Sequence, residues 1–209
     1  SSSPGPHRSP LQPVEGSGQN ELVGQGPGQD EVRYRSTDFA PLEDVIDPQA
    51  FYEPTYDNAL LRIVTHVVEA ESPIFADLLV ERVARAHGFQ RAGRIIRDRV
   101  LSLVRRTFHL EEASDGSAFI WRDEESRSRW SVFRVPAAEA DIRSIHQIPL
   151  EELRAGARVC KVPEPEVAIA RLFGIRRLSI GARERILRAL DENGGEQRSS
   201  NDPSVSQLG

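Results

Sequence analysis

Cysteine is almost missing from this chain: Cys160 is the only one in 209 residues. That excludes an internal disulfide framework and a cysteine-built zinc site, and it points to a reducing, cytoplasmic setting. Methionine is absent altogether, position 1 included, so the chain is expected to be a piece of a larger protein. Long apolar runs are missing too. None approaches the roughly 18 residues that cross a bilayer, and no apolar signal core stands at the N-terminus, so no membrane is expected among the partners. Aromatic residues make up 6%, which together with the polar ends places the folded core at about Asp47 to Asn193. Lysine is nearly absent: Lys161 stands alone among 27 basic residues. Such a bias fits a GC-rich genome and is not by itself a sign of binding. The net charge of −5 excludes a protein that coats nucleic acid through bulk charge.

What is present is unevenly distributed. Asp30, Glu31, Asp38, Glu43, Asp44, Asp47, Glu53 and Asp57 make the first part acidic, whereas Arg82 to Arg106 holds eight arginines against the single acid Asp98. Local potential, more than the total, decides where a phosphate would settle. Residues 1–46 read as a disordered, acidic linker, and 194–209 as a disordered tail, because Ser, Pro, Gly and Gln offer too little apolar surface to offset the entropy of ordering. Gly24-x-Gly26-x-Gly28 has no strand before it and no helix after it, so it does not read as a phosphate loop.

Two stretches 86 positions apart are nearly alike. Val83-Ala84-Arg85-Ala86-His87-Gly88-Phe89-Gln90-Arg91 aligns with Ile169-Ala170-Arg171-Leu172-Phe173-Gly174-Ile175-Arg176-Arg177, and Arg97-Asp98-Arg99-Val100 falls on Arg183-Glu184-Arg185-Ile186 without a gap. Each copy reads as a helix closed by glycine, a basic turn, and a second helix, which is the outline of a helix-turn-helix.

The periodicity predicts a first helix from Thr55 or Asp57, either of which can cap it, with Leu60, Leu61, Val64, Val67 and Val68 on one face. Ser72-Pro73 starts a second helix carrying Ile74, Leu78, Leu79, Val83 and Ala86 to Gly88, a glycine suited to a left-handed cap. A third, Ala92 to Thr107, buries Ile96, Val100, Leu103 and Val104 and turns Arg94, Asp98, Ser102, Arg105 and Arg106 outward. The period then changes to two, and residues 108–112 and 117–121 form a hairpin closed by Asp115-Gly116. Trp130 to Val135 is a candidate further strand. Helices at 149–159, 164–173 and 179–190 follow. The expected fold is mainly α with a small β-hairpin: a winged helix-turn-helix unit at 47–136, then a second helix-turn-helix-like three-helix unit at 137–193 packed on the first.

Glu71-x-Pro73-Ile74, Gly88-x-x-Arg91-x-Gly93-Arg94-Ile95, Phe119-x-Trp121 and Arg143-x-Ile145-x-x-Ile148-Pro149-x-Glu151-Glu152 resemble an uncharacterised bacterial domain of unknown function. That domain stands at the C-terminal end of large superfamily I DNA helicase-like ATPases, commonly after a restriction-endonuclease-like nuclease domain. The resemblance covers about Tyr56 to Leu190. It implies a non-catalytic accessory module whose partners are the upstream helicase and nuclease domains of a parent chain, and it brings no catalytic residue with it.

Read from the residues, the expected ligand is DNA. Arg91, Arg94, Ser102, Arg105 and Arg106 in the first copy and Arg176, Arg177 and Arg183 in the second are the candidate contacts, since arginine's planar fork suits phosphates and guanine edges. The alternative is a protein-protein docking module on the same scaffold, its arginines a solvated face with neighbours such as Asp98. The hairpin tip, Ser114-Asp115-Gly116-Ser117, is acidic, which argues against base reading by the wing. Trp121 and Trp130 are expected to anchor the hairpin, although tryptophan can also stack on an unpaired base. His7, His66, His87, His109 and His146 share no ligand spacing, and the carboxylates form no set with a nucleophile or base. No metal, cofactor or independent enzymatic activity is expected.

Overall fold

The computed structural model describes residues 31–113 and 116–198, with 192–198 as backbone only. The described part begins in a strand, β1 (Glu31–Tyr34), and passes through 3-10 turns into helix α1 (Asp57–Glu71). Leu60, Ile63, Val64, Val67 and Val68 recur at three- and four-residue spacing and are buried, as a helix with one core-facing stripe requires. Ile63 stands on this stripe in place of the expected Leu61, which is only half-buried. Neither Thr55 nor Asp57 caps α1. A 3-10 turn over Pro54–Tyr56 leads directly into it.

After a cis Ser72-Pro73 bond the chain does not enter a helix at once. Ile74–Phe75 form a short strand, β2, and helix α2 begins only at Ala76, running to Ala86. The expected helical start at Ser72-Pro73 is thus displaced. Ile74 lies four residues before Leu78, so its place suits a helical stripe or a strand equally, and pairing with a later strand decides. Helix α3 (Arg94–Thr107) buries Ile96, Val100, Leu101, Leu103 and Val104. Strands β3 (His109–Glu112) and β4 (Ala118–Trp121) then form the hairpin, with His109 opposite Trp121 and Glu112 opposite Ala118. Ser114 and Asp115 of the tip lie outside the described residues. β2 adds to β4, Ile74 facing Ile120, so the antiparallel sheet has the order β2-β4-β3. One apolar core joins α1, α2 and α3 to Ile74 and Ile120.

A short helix, α4 (Glu124–Ser128), follows, capped by Asp123, whose carboxylate accepts from the Ser126 amide at 2.6 Å. Strand β5 (Phe133–Pro136) then pairs in parallel with β1, Glu31 opposite Phe133 and Tyr34 opposite Pro136. The strand anticipated at Trp130–Val135 therefore starts three residues later and is not a neighbour of the hairpin. Its partner comes from the segment expected to be linker. Residues 31–46 are ordered because Phe39, Leu42, Val45 and Ile46 pack on the first core. Apolar residues spaced among acids read as linker in sequence, but here they pack on the first core, with the Phe39 ring beside His66 of α1.

Helices α5 (Leu150–Val159), α6 (Pro165–Leu172) and α7 (Ile180–Arg198) form the second unit. α7 continues past residue 194, where the tail was expected to begin. The second core contains Ile145, Ile148, Leu153, Ile169, Phe173 and Ile186, together with Phe133 and Val135 of β5. β5 thus lies within the span expected for the first unit while packing in the second.

The repeat is realised in the backbone. In the first copy the amides of His87, Gly88 and Phe89 donate to the carbonyls of Val83, Arg85 and Ala84 at 3.3, 2.9 and 3.0 Å. In the second, those of Phe173, Gly174 and Ile175 donate to Ile169, Arg171 and Ala170 at 3.2, 2.9 and 2.9 Å. Gly88 has φ +75 and Gly174 φ +78, the left-handed conformation that closes a Schellman cap.

Candidate nucleic-acid interface

The arginines of the basic stretch divide into two groups. Four are matched by acids: Arg82 with Glu71 at 3.3 Å, Arg85 with Glu81 at 2.5 Å, Arg97 with Asp77 at 2.9 Å and Arg99 with Asp57 at 2.7 Å. Arg82 turns inward and also donates to Ser36 Oγ at 2.9 Å. Arg99 further donates to the Glu53 carbonyl at 2.7 Å, tying α3 to the turn before α1. The other four, Arg91, Arg94, Arg105 and Arg106, are exposed. Of these only Arg94 meets an acid among the described residues, Asp98 at 3.5 Å, with both side chains largely in solvent. An exposed pair of that kind holds little energy.

Ser102 shares this face, its hydroxyl donating to the Arg99 carbonyl at 2.7 Å, while Arg106 Nε donates to the Ser102 carbonyl at 3.2 Å. The face exists because the core takes Ile96, Val100, Leu103 and Val104 and leaves the opposite side of α3 to water. Ile95 is an exception to that division: it belongs to the first turn of α3 and is 70% exposed.

In the second copy Arg176, Arg177 and Arg183 are also exposed. Arg183 lies 3.6 Å from Glu166. Arg185, which aligns with Arg99, is buried and donates to the carbonyls of Ile145 and Ile148 at 3.1 and 3.0 Å. At matched positions, then, an arginine of the second helix of each copy clasps the turn ahead of its unit's first helix. No hairpin follows α7 among the described residues, and Ile180 in its first turn is 81% exposed.

On the hairpin, Glu111 forms an ion pair with Arg127, which also lies 3.4 Å from Glu124 and 3.7 Å from Glu151. This acidic strand is thus partly neutralised, while Glu112 remains exposed. Trp121 is fully buried and meets Trp130 edge-on at 5.6 Å. Trp130 in turn has the Arg134 guanidinium 5.3 Å from its ring centre. Among the described residues no three His, Cys, Asp or Glu side chains are grouped so as to hold a metal ion, and no helix is long and apolar enough to cross a membrane.

A second set of charges is buried at the joint between the two cores, and sequence reasoning did not foresee it. Glu152, with no exposure, accepts from Arg134 at 2.8 Å and from Arg143 at 2.5 and 3.0 Å. Arg134 continues to the carbonyls of Glu71 and Pro73, each at 2.7 Å. Arg143 lies 4.0 Å from the centre of the Tyr34 ring. Glu71, equally buried, accepts from the Tyr34 hydroxyl and from Thr37 N and Oγ1 at 2.8 and 2.6 Å. Burial pushes the Glu152 carboxyl up, but Arg134 and Arg143 outweigh it and hold the carboxyl at about 2. Burial and the Glu71 charge push the Tyr34 hydroxyl up to about 12. Several residues that carry the family resemblance, Glu71, Pro73, Arg143 and Glu152, therefore build the joint and not the basic face. The signal was available: Glu71 and Glu152 fall on the buried stripes of α1 and α5.

Residues 49–98 match a family model described as "Protein of unknown function (DUF3320)". The match takes in α1, β2, α2 and the first turn of α3, including Arg91, Arg94 and Ile95, and it stops before Ser102 and the whole second unit. No curated protein and no solved structure matches the chain.

Proposed function

We propose that this chain is a non-catalytic module that binds or positions DNA for a larger helicase or nuclease, using the outward face of α3. The observation that carries this reading is the sorting of the arginines. Arg82 and Arg99 are held by acids in part-buried pairs and Arg85, Arg94 and Arg97 have solvent-exposed ones, while Arg91, Arg105 and Arg106 meet no acid among the described residues. The order helix, strand, helix, helix, strand, strand with sheet order β2-β4-β3 supports a winged-helix reading, in which α3 is the helix offered to the groove. Phosphate neutralisation and shape recognition supply the binding. Arg176, Arg177 and Arg183 extend it to a second, wingless copy.

The competing reading is a docking module for a protein partner, favoured by Asp98 in the middle of the face. Salt separates the two. Four phosphate contacts lose about two orders of magnitude in affinity between 50 and 200 mM salt, whereas an apolar docking surface is nearly indifferent. Fluorescence anisotropy with labelled single-stranded, duplex and forked DNA across a salt series makes the measurement. The triple variant Arg94→Glu, Arg105→Glu, Arg106→Glu is expected to lose binding with an unchanged melting temperature, because these side chains lie opposite the core. Undiminished binding by this variant refutes the assignment of the face.

A further inference from the structure

We propose that Ile95 reads thymine: its side chain is the apolar contact for the 5-methyl group of thymine when α3 lies in the major groove of duplex DNA. This rests on the reading of α3 given above and narrows it, to duplex DNA and to one kind of base.

The argument starts from two isoleucines in succession. Ile96 is 5% exposed and belongs to the core, while Ile95 is 70% exposed. Single exposed aliphatic side chains are common on protein surfaces, so exposure alone decides nothing. Position does. With 3.6 residues per turn, Ile95, Asp98 and Ser102 form a stripe down the middle of the exposed face. Arg94 and Arg105 run along one flank of that stripe and Arg106 along the other.

A helix in the major groove has this division of labour: flanking residues reach the two phosphate backbones and the central stripe meets base edges. Side chains in the first turn are those placed deepest against the bases, and Ile95 is in the first turn of α3. An aliphatic side chain can neither donate nor accept a hydrogen bond. The one apolar group that bases present in the major groove is the thymine methyl.

The same arrangement gives Asp98 a place. A carboxylate among arginines is unfavourable on a surface pressed against phosphates, but in the central stripe it faces bases, where an acid can accept from a cytosine amino group.

The test uses two labelled duplexes of identical alternating sequence, d(AT) and d(AU), which differ only in the thymine 5-methyl groups. The 209-residue chain is titrated into each at low salt. It is expected to bind d(AT) about fourfold more tightly for each methyl covered. Ile95→Ala should remove that ratio by weakening d(AT) alone, and Ile95→Val should retain part of it. Equal affinity of the unaltered chain for the two duplexes, or a ratio that survives in Ile95→Ala, overturns the role of Ile95 and leaves the DNA reading standing. Failure to bind either duplex overturns the placing of α3 in duplex DNA, and failure on the single-stranded and forked probes as well overturns the DNA reading itself.

Discussion

Glu152 holds two guanidinium groups in a place that water does not reach. Its replacement by alanine leaves Arg134 and Arg143 buried with their charges unmatched, and breaking a buried pair in this way costs about 3–5 kcal/mol. Urea unfolding of Glu152→Ala should show a loss of that size, and a loss below about 1 kcal/mol would mean that water enters the joint. The same carboxyl predicts an acid limit. Because its folded pKa lies at about 2, below the ordinary carboxylate value, the stability it contributes is full above that ordinary value and is lost as pH falls towards 2. His87 acts earlier. Burial holds its pKa below the ordinary histidine value, while its Nδ1 meets the Val83 carbonyl at 2.7 Å. The unfolded chain therefore takes up a proton that the folded one refuses, and stability starts to fall as pH drops below about 6.5. Melting temperatures measured from pH 8 to pH 3 should show both steps, and His87→Gln should remove the first. At this scale the exposed arginines were legible in the sequence, since they stand opposite an apolar stripe. The buried acids showed only as charges on apolar stripes and their partners did not show, since the Glu152 carboxylate meets Arg134 across 18 positions of chain and the Glu71 carboxylate meets Tyr34 across 37.

The two glycine caps are alike in backbone and unlike in surroundings. An added Cβ at Gly88 meets nothing within 4 Å, whereas at Gly174 it would stand 3.0 Å from Pro136 Cγ and 3.1 Å from Ile142 Cγ1. Both positions have positive φ, which costs a residue with a Cβ about 1–2 kcal/mol. Gly88→Ala should lose about that much in a denaturant titration and Gly174→Ala distinctly more. Equal losses would show that Pro136 and Ile142 move aside freely. Strong periodicity made the six longer helices readable, although α2 starts at Ala76 and not at Ser72-Pro73 and α7 runs past the expected end at 190 to Arg198. The exceptions have physical causes. β2 is two residues long and exists only because β4 offers it a partner, and β1 needs β5 from the far side of the first unit. α4 is five residues held by the Asp123 cap, too short for a period to emerge. Its capping pair, Asp123 with Ser126, was the one available sign.

At the scale of the whole molecule, two apolar cores are joined by a layer of charge. Arg134 sits on β5, whose Phe133 and Val135 pack in the second core, yet its guanidinium is spent on the carbonyls at the end of α1 and on Glu152. The two units should therefore unfold together. Far-UV circular dichroism, which follows all the helices, and tryptophan fluorescence, which follows Trp121 and Trp130 at the joint, are expected to give coincident transitions. In Arg134→Ala the fluorescence change should come first. A wild-type chain whose two curves separate would show that the joint does not couple the cores. The sequence reads as two units, the second packed on the first, but it does not name the residues that couple them, because their pairing crosses the boundary.

The pairing of β1 with β5 has a mechanical side. β1 lies parallel to β5, and Tyr34 at its end is hydrogen-bonded to Glu71 and stacked under Arg143. Tension applied along the chain ahead of Glu31 reaches the joint before it reaches any helix of the basic face. Pulled along its own axis, the strand loads its ladder in shear, so that the backbone bonds resist together instead of opening one at a time. Load entering at Glu31 would then move the two units together.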